Sequence, residues 1–276
     1  MIRLSPWPSP GELKKYYPES YWFAPGATTA SRLEEFYRRL VLRDHVNFVA
    51  AALKTQERGP VLDIGCGGAL FGKLLRDRGY PCFGLDFSQT AATVGWSTNK
   101  VPVALGDFKL APFREGSFGA VTMFHVLEHL YDPLDALSAV HKLLRPGGCL
   151  IVQVPNAACW QFLLFGEAWN GIDVPRHLVD FKARDLDTML ARSGFELVRH
   201  KYFSLRDNPA GLASTLAPGL DPMARRIRRP NEGPRSKLLR DLLYLGLVGV
   251  AVPFTLLEAA CQAGSTVMVE ARKKGA

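Results

Sequence analysis

No pair of cysteines in this chain has the spacing of a disulfide framework or a zinc knuckle. The five cysteines, at 66, 82, 149, 159 and 261, are odd in number and scattered. That excludes a small stapled scaffold and suits reduced thiols in a cytosolic protein. Acids are in short supply: 26 Asp and Glu stand against 34 Lys and Arg, leaving a net charge of +8. The excess keeps anionic partners open, a membrane surface or a nucleic acid among them. The apolar run Leu242 to Leu257 falls short of the roughly 20 residues a bilayer span needs. It is also interrupted by Gly246, Gly249 and Pro253. The first ten residues are proline-rich and lack the apolar centre of a signal peptide. No internal repeat is visible. The 276 residues, 47% of them hydrophobic, suffice for one domain with decorations.

The most informative stretch is Val61-Leu62-Asp63-Ile64-Gly65-Cys66-Gly67-Gly68. Apolar residues flank one acid and glycines follow, as where a buried parallel strand turns into a helix near Ala69. Glycine is needed where a ligand approaches the backbone closely. About twenty residues on, Cys82-Phe83-Gly84-Leu85-Asp86 reads as a second strand whose final acid takes ribose hydroxyls. A third segment, Ala104-Leu105-Gly106-Asp107-Phe108, ends in an acid beside an aromatic. These intervals describe a site for an adenosine-containing molecule. The third glycine of the dinucleotide fingerprint is absent, and Leu70 stands in its place. With Asp63 at the strand end, a ligand with a cationic amino-acid part fits better than NAD.

At this point the sequence resembles the class I S-adenosylmethionine-dependent methyltransferases. Further segments carry the resemblance. Phe118 to Leu130 looks like the fourth strand and its Leu-Glu-His segment, and Leu144-Arg145-Pro146-Gly147-Gly148 looks like the turn into the fifth. Gly264 to Arg272 looks like the last strand. Tyr17 to Trp22 and Val174 to Phe181 are similar to a bacterial branch of the family, and the Cys-Gly-Gly loop to ubiquinone-biosynthesis O-methyltransferases. The resemblance implies a Rossmann-like α/β fold: a seven-stranded, mostly parallel sheet with an N-terminal helical cap and an insertion before the last strand. The implied boundaries are 1–58 for the cap, 59–203 for the core, 204–263 for a basic and apolar insertion, and 264–276 for the final strand. The implied cofactor is S-adenosyl-L-methionine. Asp63 with Gly65, Cys66 and Gly67 would hold its amino-acid end, and Asp86 the ribose. Phe87, Asp107 and Phe108 would flank or bond the adenine, and Phe124 would touch the cofactor from the end of strand four.

Methyl transfer to a protonated nucleophile needs a base. His125, Glu128 and His129 follow strand four, at the edge where α/β sheets bind ligands. On a helical turn they share one face, and histidine titrates near neutrality. The same geometry suits a divalent ion. The resembling quinone methyltransferases have a carboxylate where His125 stands and a proposed metal role there. The histidine weakens a magnesium reading, so no metal ligand is assigned. His177, in Pro175-Arg176-His177-Leu178, is a second candidate base. Trp160, Phe165 and Trp169 read either as lining for an apolar acceptor or as core.

Along the chain, 31–57 reads as one helix, with Ser31 as N-cap, Glu34 closing a capping box and Leu33, Phe36, Tyr37, Leu40 and Val41 as its apolar face. Ser88 and Asp132-Pro133 read as helix starts. The first half of the insertion reads as loop. Arg225, Arg226, Arg228, Arg229, Arg235, Lys237 and Arg240 crowd it, as a solvated loop, an anionic-membrane contact or a nucleic-acid contact. The expected activity is O-methylation of a small or lipid-like acceptor by a cytoplasmic enzyme, peripheral at the membrane if the insertion docks there. The alternatives are an RNA methyltransferase using 225–240, against which stands the absence of an Asn-Pro-Pro-Tyr-type site, and a non-catalytic cofactor-binding homologue.

Overall fold

The computed structural model describes residues 1–17, 29–54, 59–107, 113–228 and 232–274. A short strand β1 (Ile2–Arg3) and a turn of helix α1 (Pro10–Leu13) precede the long helix α2 (Thr29–Lys54). Helix α2 starts before Ser31, which therefore lies inside it and is not its cap. The Glu34 carboxylate receives the Arg226 guanidinium instead of closing a capping box. The buried face of α2 is Val41, Leu42, His45, Val46, Val49, Ala52 and Leu53, while Phe36 and Leu40, expected inside, are exposed. Packing against the sheet set that face, one turn later than the local apolar pattern indicated. Residues 55–57 of the expected helix lie outside the described residues.

Alternating elements follow: β2 (Val61–Ile64), α3 (Leu70–Arg76), β3 (Cys82–Asp86), α4 (Gln89–Ser97), β4 (Val103–Leu105), β5 (Phe118–Phe124), α5 (Pro133–Leu143), β6 (Leu144–Pro155) and α6 (Trp160–Phe165). Then come β7 (Val179–Asp180), α7 (Ala183–Arg192) and β8 (Phe195–Lys201). Ser88 caps α4 by accepting from the Ala91 amide, and Asp132 caps α5 by accepting from that of Asp135. Both starts were legible because a short polar side chain satisfies an otherwise orphaned donor. The last elements are α8 (Asn208–Leu216), α9 (Pro222–Arg228), α10 (Pro234–Ala260) and β9 (Thr266–Lys273).

The main sheet has seven strands in the order β4-β3-β2-β5-β6-β9-β8. Strands β4, β3, β2, β5 and β6 run parallel, and β9 is antiparallel to both its neighbours. Alternate residues serve opposite faces, as the pleat requires. Leu62, Val121 and Leu150 pack with Leu137 and Val140 of α5 and Leu186 of α7 on one side. Val61, Ala120 and Ile151 pack with Val46 and Val49 of α2 and Phe71 and Leu75 of α3 on the other. With both faces covered, the central strands read as continuous apolar runs. From β2 the chain winds outward through β3 and β4, then crosses to β5 on the opposite side. That switch opens a crevice at the carboxyl ends of β2 and β5.

The insertion between β8 and β9 is helical. Its first half, expected as loop, contains α8 and α9. The apolar run belongs to one 27-residue helix, α10, which continues through Pro253. An interior proline costs about 3 kcal/mol, and packing of α10 against α8 outweighs it. Arg225 is buried and paired with Glu232 and Asp241, Arg226 with Glu34, and Arg240 with Glu232. Arg225 and Arg240 therefore tie parts of the insertion together, and Arg226 ties it to α2. The side chains of Arg228 and Arg229 lie outside the described residues.

Candidate functional site

The glycine loop lies at the carboxyl end of β2, in the crevice. Gly65 and Gly67 have φ of +71° and +52°. A Cβ on Gly65 would come within 2.5 Å of Val126 Cγ2, so that position needs glycine on steric as well as conformational grounds. The Gly67 amide donates to Asp86 Oδ2 at 2.8 Å and the Ser88 amide to Asp86 Oδ1 at 2.9 Å. Asp86 thus fixes the loop that precedes it, and burial raises its pKa. Asp63 is buried at the end of β2 and accepts from Thr122 Oγ1 at 2.6 Å. Burial pushes it up to about 7, against the opposing effect of that hydrogen bond. A cradle that a Cβ would fill, backed by a buried carboxylate poor in hydrogen-bond partners, fits the cationic amino-acid end of S-adenosylmethionine.

The remaining expected cofactor residues divide. Cys66 donates from Sγ to the Gly67 carbonyl within the loop, and burial raises its thiol. Phe87 stands exposed beyond β3, edge-on to Tyr17 with ring centroids 5.6 Å apart. Asp107 is exposed just past β4. Phe108 lies outside the described residues. The ring of Phe124 packs against His45 and Phe71, at 4.9 and 5.0 Å, as part of the wall between β5 and the helices α2 and α3.

The histidines do not share one helical face. His125 ends β5 in the left-handed region, φ +56°, a conformation that concentrates at functional sites in non-glycine residues. Leu127–His129 then form a single 3-10 turn. This tight turn sends His125 and His129 in different directions. His125 Nδ1 lies 3.0 Å from Glu128 Oε1 and its Nε2 3.5 Å from Asp207 Oδ1. Burial alone would lower the His125 pKa, but Asp207 and Glu128 outweigh it and raise the imidazole to about 9. The two carboxylates thus favour the charged form of His125, whose Nε2 also lies 2.9 Å from Gln153 Nε2.

His129 faces His177, with ring centroids 4.8 Å apart. His129 Nδ1 is 2.9 Å from the Arg176 carbonyl, and His177 Nδ1 is 3.0 Å from that of Gly171. A carbonyl oxygen only accepts, so each ring carries a proton on Nδ1 and, in its neutral form, presents the Nε2 lone pair. Burial lowers the His129 pKa below the usual histidine range, while Asp180 and Glu128 raise that of His177 despite burial. Glu128 Oε2 is buried and has no hydrogen-bond partner among the described residues. Ligand atoms of Glu128, His129 and His177 lie within 4.8 Å of one another, so these three residues could hold a divalent ion. His125 stands outside this set, its nitrogens facing Glu128 Oε1 and Asp207. The His177 loop is stapled to the turn by the Leu178 amide donating to the Glu128 carbonyl at 2.8 Å.

Sequence reading passed over Asp207, which comes from the insertion and reaches Gln153 Nε2 at 2.6 Å as well as His125. Its one local signal was its place immediately before the Asn208-Pro209 helix start. Tyr17 was quoted only for resemblance, yet its hydroxyl lies 3.1 Å from His129 Nδ1. It joins Phe87 to the histidine pair across the crevice. Of the candidate lining residues, Trp169 is buried core. Trp160 packs on Phe254 of α10.

Residues 32–200 match the family model described as a methyltransferase domain. The chain belongs to this methyltransferase family. S-adenosylmethionine is its cofactor. The methyltransferase is 29% identical over 180 residues to a probable S-adenosylmethionine-dependent methyltransferase of Mycolicibacterium smegmatis, covering 65% of this chain and 61% of the relative. It is 35% identical over 117 residues to the ubiquinone biosynthesis O-methyltransferase of Alkalilimnicola ehrlichii, covering 40% and 47%. The chain spans about half the length of such relatives. The fold is shared with Burkholderia thailandensis 1,6-didemethyltoxoflavin-N1-methyltransferase, solved with bound S-adenosylhomocysteine. The two have a TM-score of 0.55 at 15% identity, over 99% of this chain and 94% of that one.

Proposed function

We propose that the methyltransferase transfers its methyl group to a hydroxyl of a small or lipid-like acceptor, with His129 as the base. The observation that carries this is the half-buried His129, its charged form disfavoured by desolvation, whose Nδ1–H is held by the Arg176 carbonyl and whose Nε2 lone pair is available. Val126, next to His125, lies against Gly65, so the histidine segment abuts the loop assigned to the cofactor. The relatives named ubiquinone biosynthesis O-methyltransferase support a hydroxyl acceptor. Asp63 and the backbone of Gly65, Cys66 and Gly67 hold the amino-acid end, Asp86 accepts from the ribose hydroxyls, Asp107 accepts from the adenine amine, and Phe87 flanks the ring.

The cofactor, when bound, supplies a methyl group already activated by its sulfonium. The chain's task is orientation, which can contribute on the order of 7–11 kcal/mol, together with removal of the acceptor's proton. His129 Nε2 takes that proton while the Arg176 carbonyl keeps the ring in the correct tautomer. His125, its charged form favoured by Asp207 and Glu128, does not take it. With Glu128 and Asp207 it fixes the turn that aims His129. Tyr17 and Phe87 cover the crevice and limit water. The test offers paired apolar acceptors that differ only in carrying a hydroxyl or an amine, with mass spectrometry of the product. A methyl ether is expected, and methylation of the amine alone would overturn the hydroxyl reading.

A second reading rests on the unpartnered Glu128 Oε2: Glu128, His129 and His177 hold a divalent cation, and His129 is then a ligand instead of a base.

The state of Asp63 makes a pH prediction. Held near 7 in the free protein, it is largely protonated below that pH and must ionise beside a cationic ammonium. Affinity for S-adenosylmethionine is expected to rise from about pH 6 to about pH 8, with proton release on binding below neutrality. Calorimetry in two buffers of different ionisation enthalpy measures this. Flat affinity without proton release would remove Asp63 from the ammonium site.

A further inference from the structure

The helix α10 is built inside out. The stripe it packs against the protein is Tyr244, Val248, Ala251, Thr255 and Glu258, at alternating spacings of four and three. Three of those five side chains are polar. Tyr244 Oη donates to the Ala210 carbonyl and bonds Ser214 Oγ, while Glu258 accepts from the Gln161 amide and from Gln161 Nε2. The outward side carries Leu239, Leu242, Leu243, Val250, Leu256 and Leu257, all exposed, and no charged residue occurs from Leu242 to Leu257. A surface helix of a globular protein normally shows the reverse pattern. The apolar surface extends onto α6, whose Trp160 meets Phe254 and whose Leu163 and Leu164 are 78% and 65% exposed. A contiguous patch of this kind marks an interaction surface.

We infer that α10 and the tip of α6 dock the methyltransferase onto an anionic lipid bilayer, with α10 lying in the interface. This goes beyond the acceptor reading and does not depend on it. Charge at the helix's first turns selects the partner. Glu232 and Asp241 are consumed by Arg225 and Arg240, whereas Arg235 and Lys237 have no carboxylate partner among the described residues. The end of α10 nearest the exposed Leu238 and Leu239 thus presents net positive charge beside apolar surface, the pattern that binds anionic headgroups. A second copy of the chain would cover the leucines and leave these cations unused. By length and hydropathy Arg235–Ala260 could cross a membrane. The Glu258–Gln161 and Tyr244–Ser214 bonds hold one whole face to the protein, and extracting them would place a carboxylate in hydrocarbon.

The test is flotation of the full chain with vesicles of phosphatidylcholine alone and of phosphatidylcholine with phosphatidylglycerol, at low and high salt. Flotation is expected with the anionic vesicles at low salt. L243E/L257E should abolish it, both positions being exposed and away from the crevice, so calorimetric binding of S-adenosylmethionine confirms that the variant is folded. Arg235→Ser with Lys237→Ser should weaken partitioning roughly 30-fold, two cations at about 1 kcal/mol each. Failure to float with either vesicle overturns the inference. So does equal flotation with neutral vesicles, unaffected by the charge variant. A dimer seen by light scattering, dispersed by L243E/L257E without any vesicle binding, would reassign the surface to a second copy of the chain.

Discussion

His129→Ala is expected to lower turnover by about 10²–10⁴-fold, the usual range for loss of a general base, with little change in affinity for S-adenosylmethionine. The recorded partners of the His129 ring are Tyr17, His177 and the Arg176 carbonyl, none of them a residue assigned to the cofactor. The rate should rise with pH to a plateau. Because burial lowers the His129 pKa, the acid limb should fall below the ordinary histidine value of about 6.5. His125→Ala should leave the position of that limb unchanged, since His125, raised to about 9, does not titrate there. Chelation separates the two readings of the site. If His129 is a base, exhaustive dialysis against a chelator leaves turnover and thermal midpoint unchanged. If Glu128, His129 and His177 ligate a cation, both fall and are restored by a divalent metal. Full turnover in the His129→Ala variant would remove both readings and turn attention to His177.

Asp86→Ala is expected to weaken S-adenosylmethionine binding by about 1.5–3 kcal/mol, the worth of hydrogen bonds to a charged group. That is roughly a 10- to 150-fold rise in Kd. Two losses combine: the carboxylate proposed to accept from the ribose, and the acceptor that holds the Gly67 amide at 2.8 Å and the Ser88 amide at 2.9 Å. Asp86→Asn keeps one acceptor oxygen and should fall between wild type and Ala. NAD should bind negligibly to all three proteins, because Leu70 replaces the third dinucleotide glycine. Calorimetric affinities that are equal for wild type and Asp86→Ala would sink the assignment.

The sequence by itself determined the sheet and the floor of the cofactor crevice. Strand ends, caps and glycine turns are local: Gly65 and Gly67 take positive φ in the turn that follows β2, and Ser88 and Asp132 each cap the helix they precede. The run from Val61 to Gly68 therefore announced its geometry without help from the rest of the chain. The start of α2 was misread at Ser31 because a capping pattern is weak beside the burial of a long helical face on a sheet.

Only the tertiary structure decided the chemistry around the histidines. His125, Glu128 and His129 sit within one short segment, yet a left-handed residue and a 3-10 turn send them to different partners. Asp207, reaching His125 from the distant insertion, favours its charged form, whereas burial disfavours the charged form of His129 against the opposing effect of the Arg176 carbonyl. Protonation states follow from burial and from charges brought near by folding, neither of which has a local signature. The same holds for α10. Its apolar run was plain to read, but which face it buried depended on Tyr244 and Glu258 finding partners in other elements. That choice left the leucines outside.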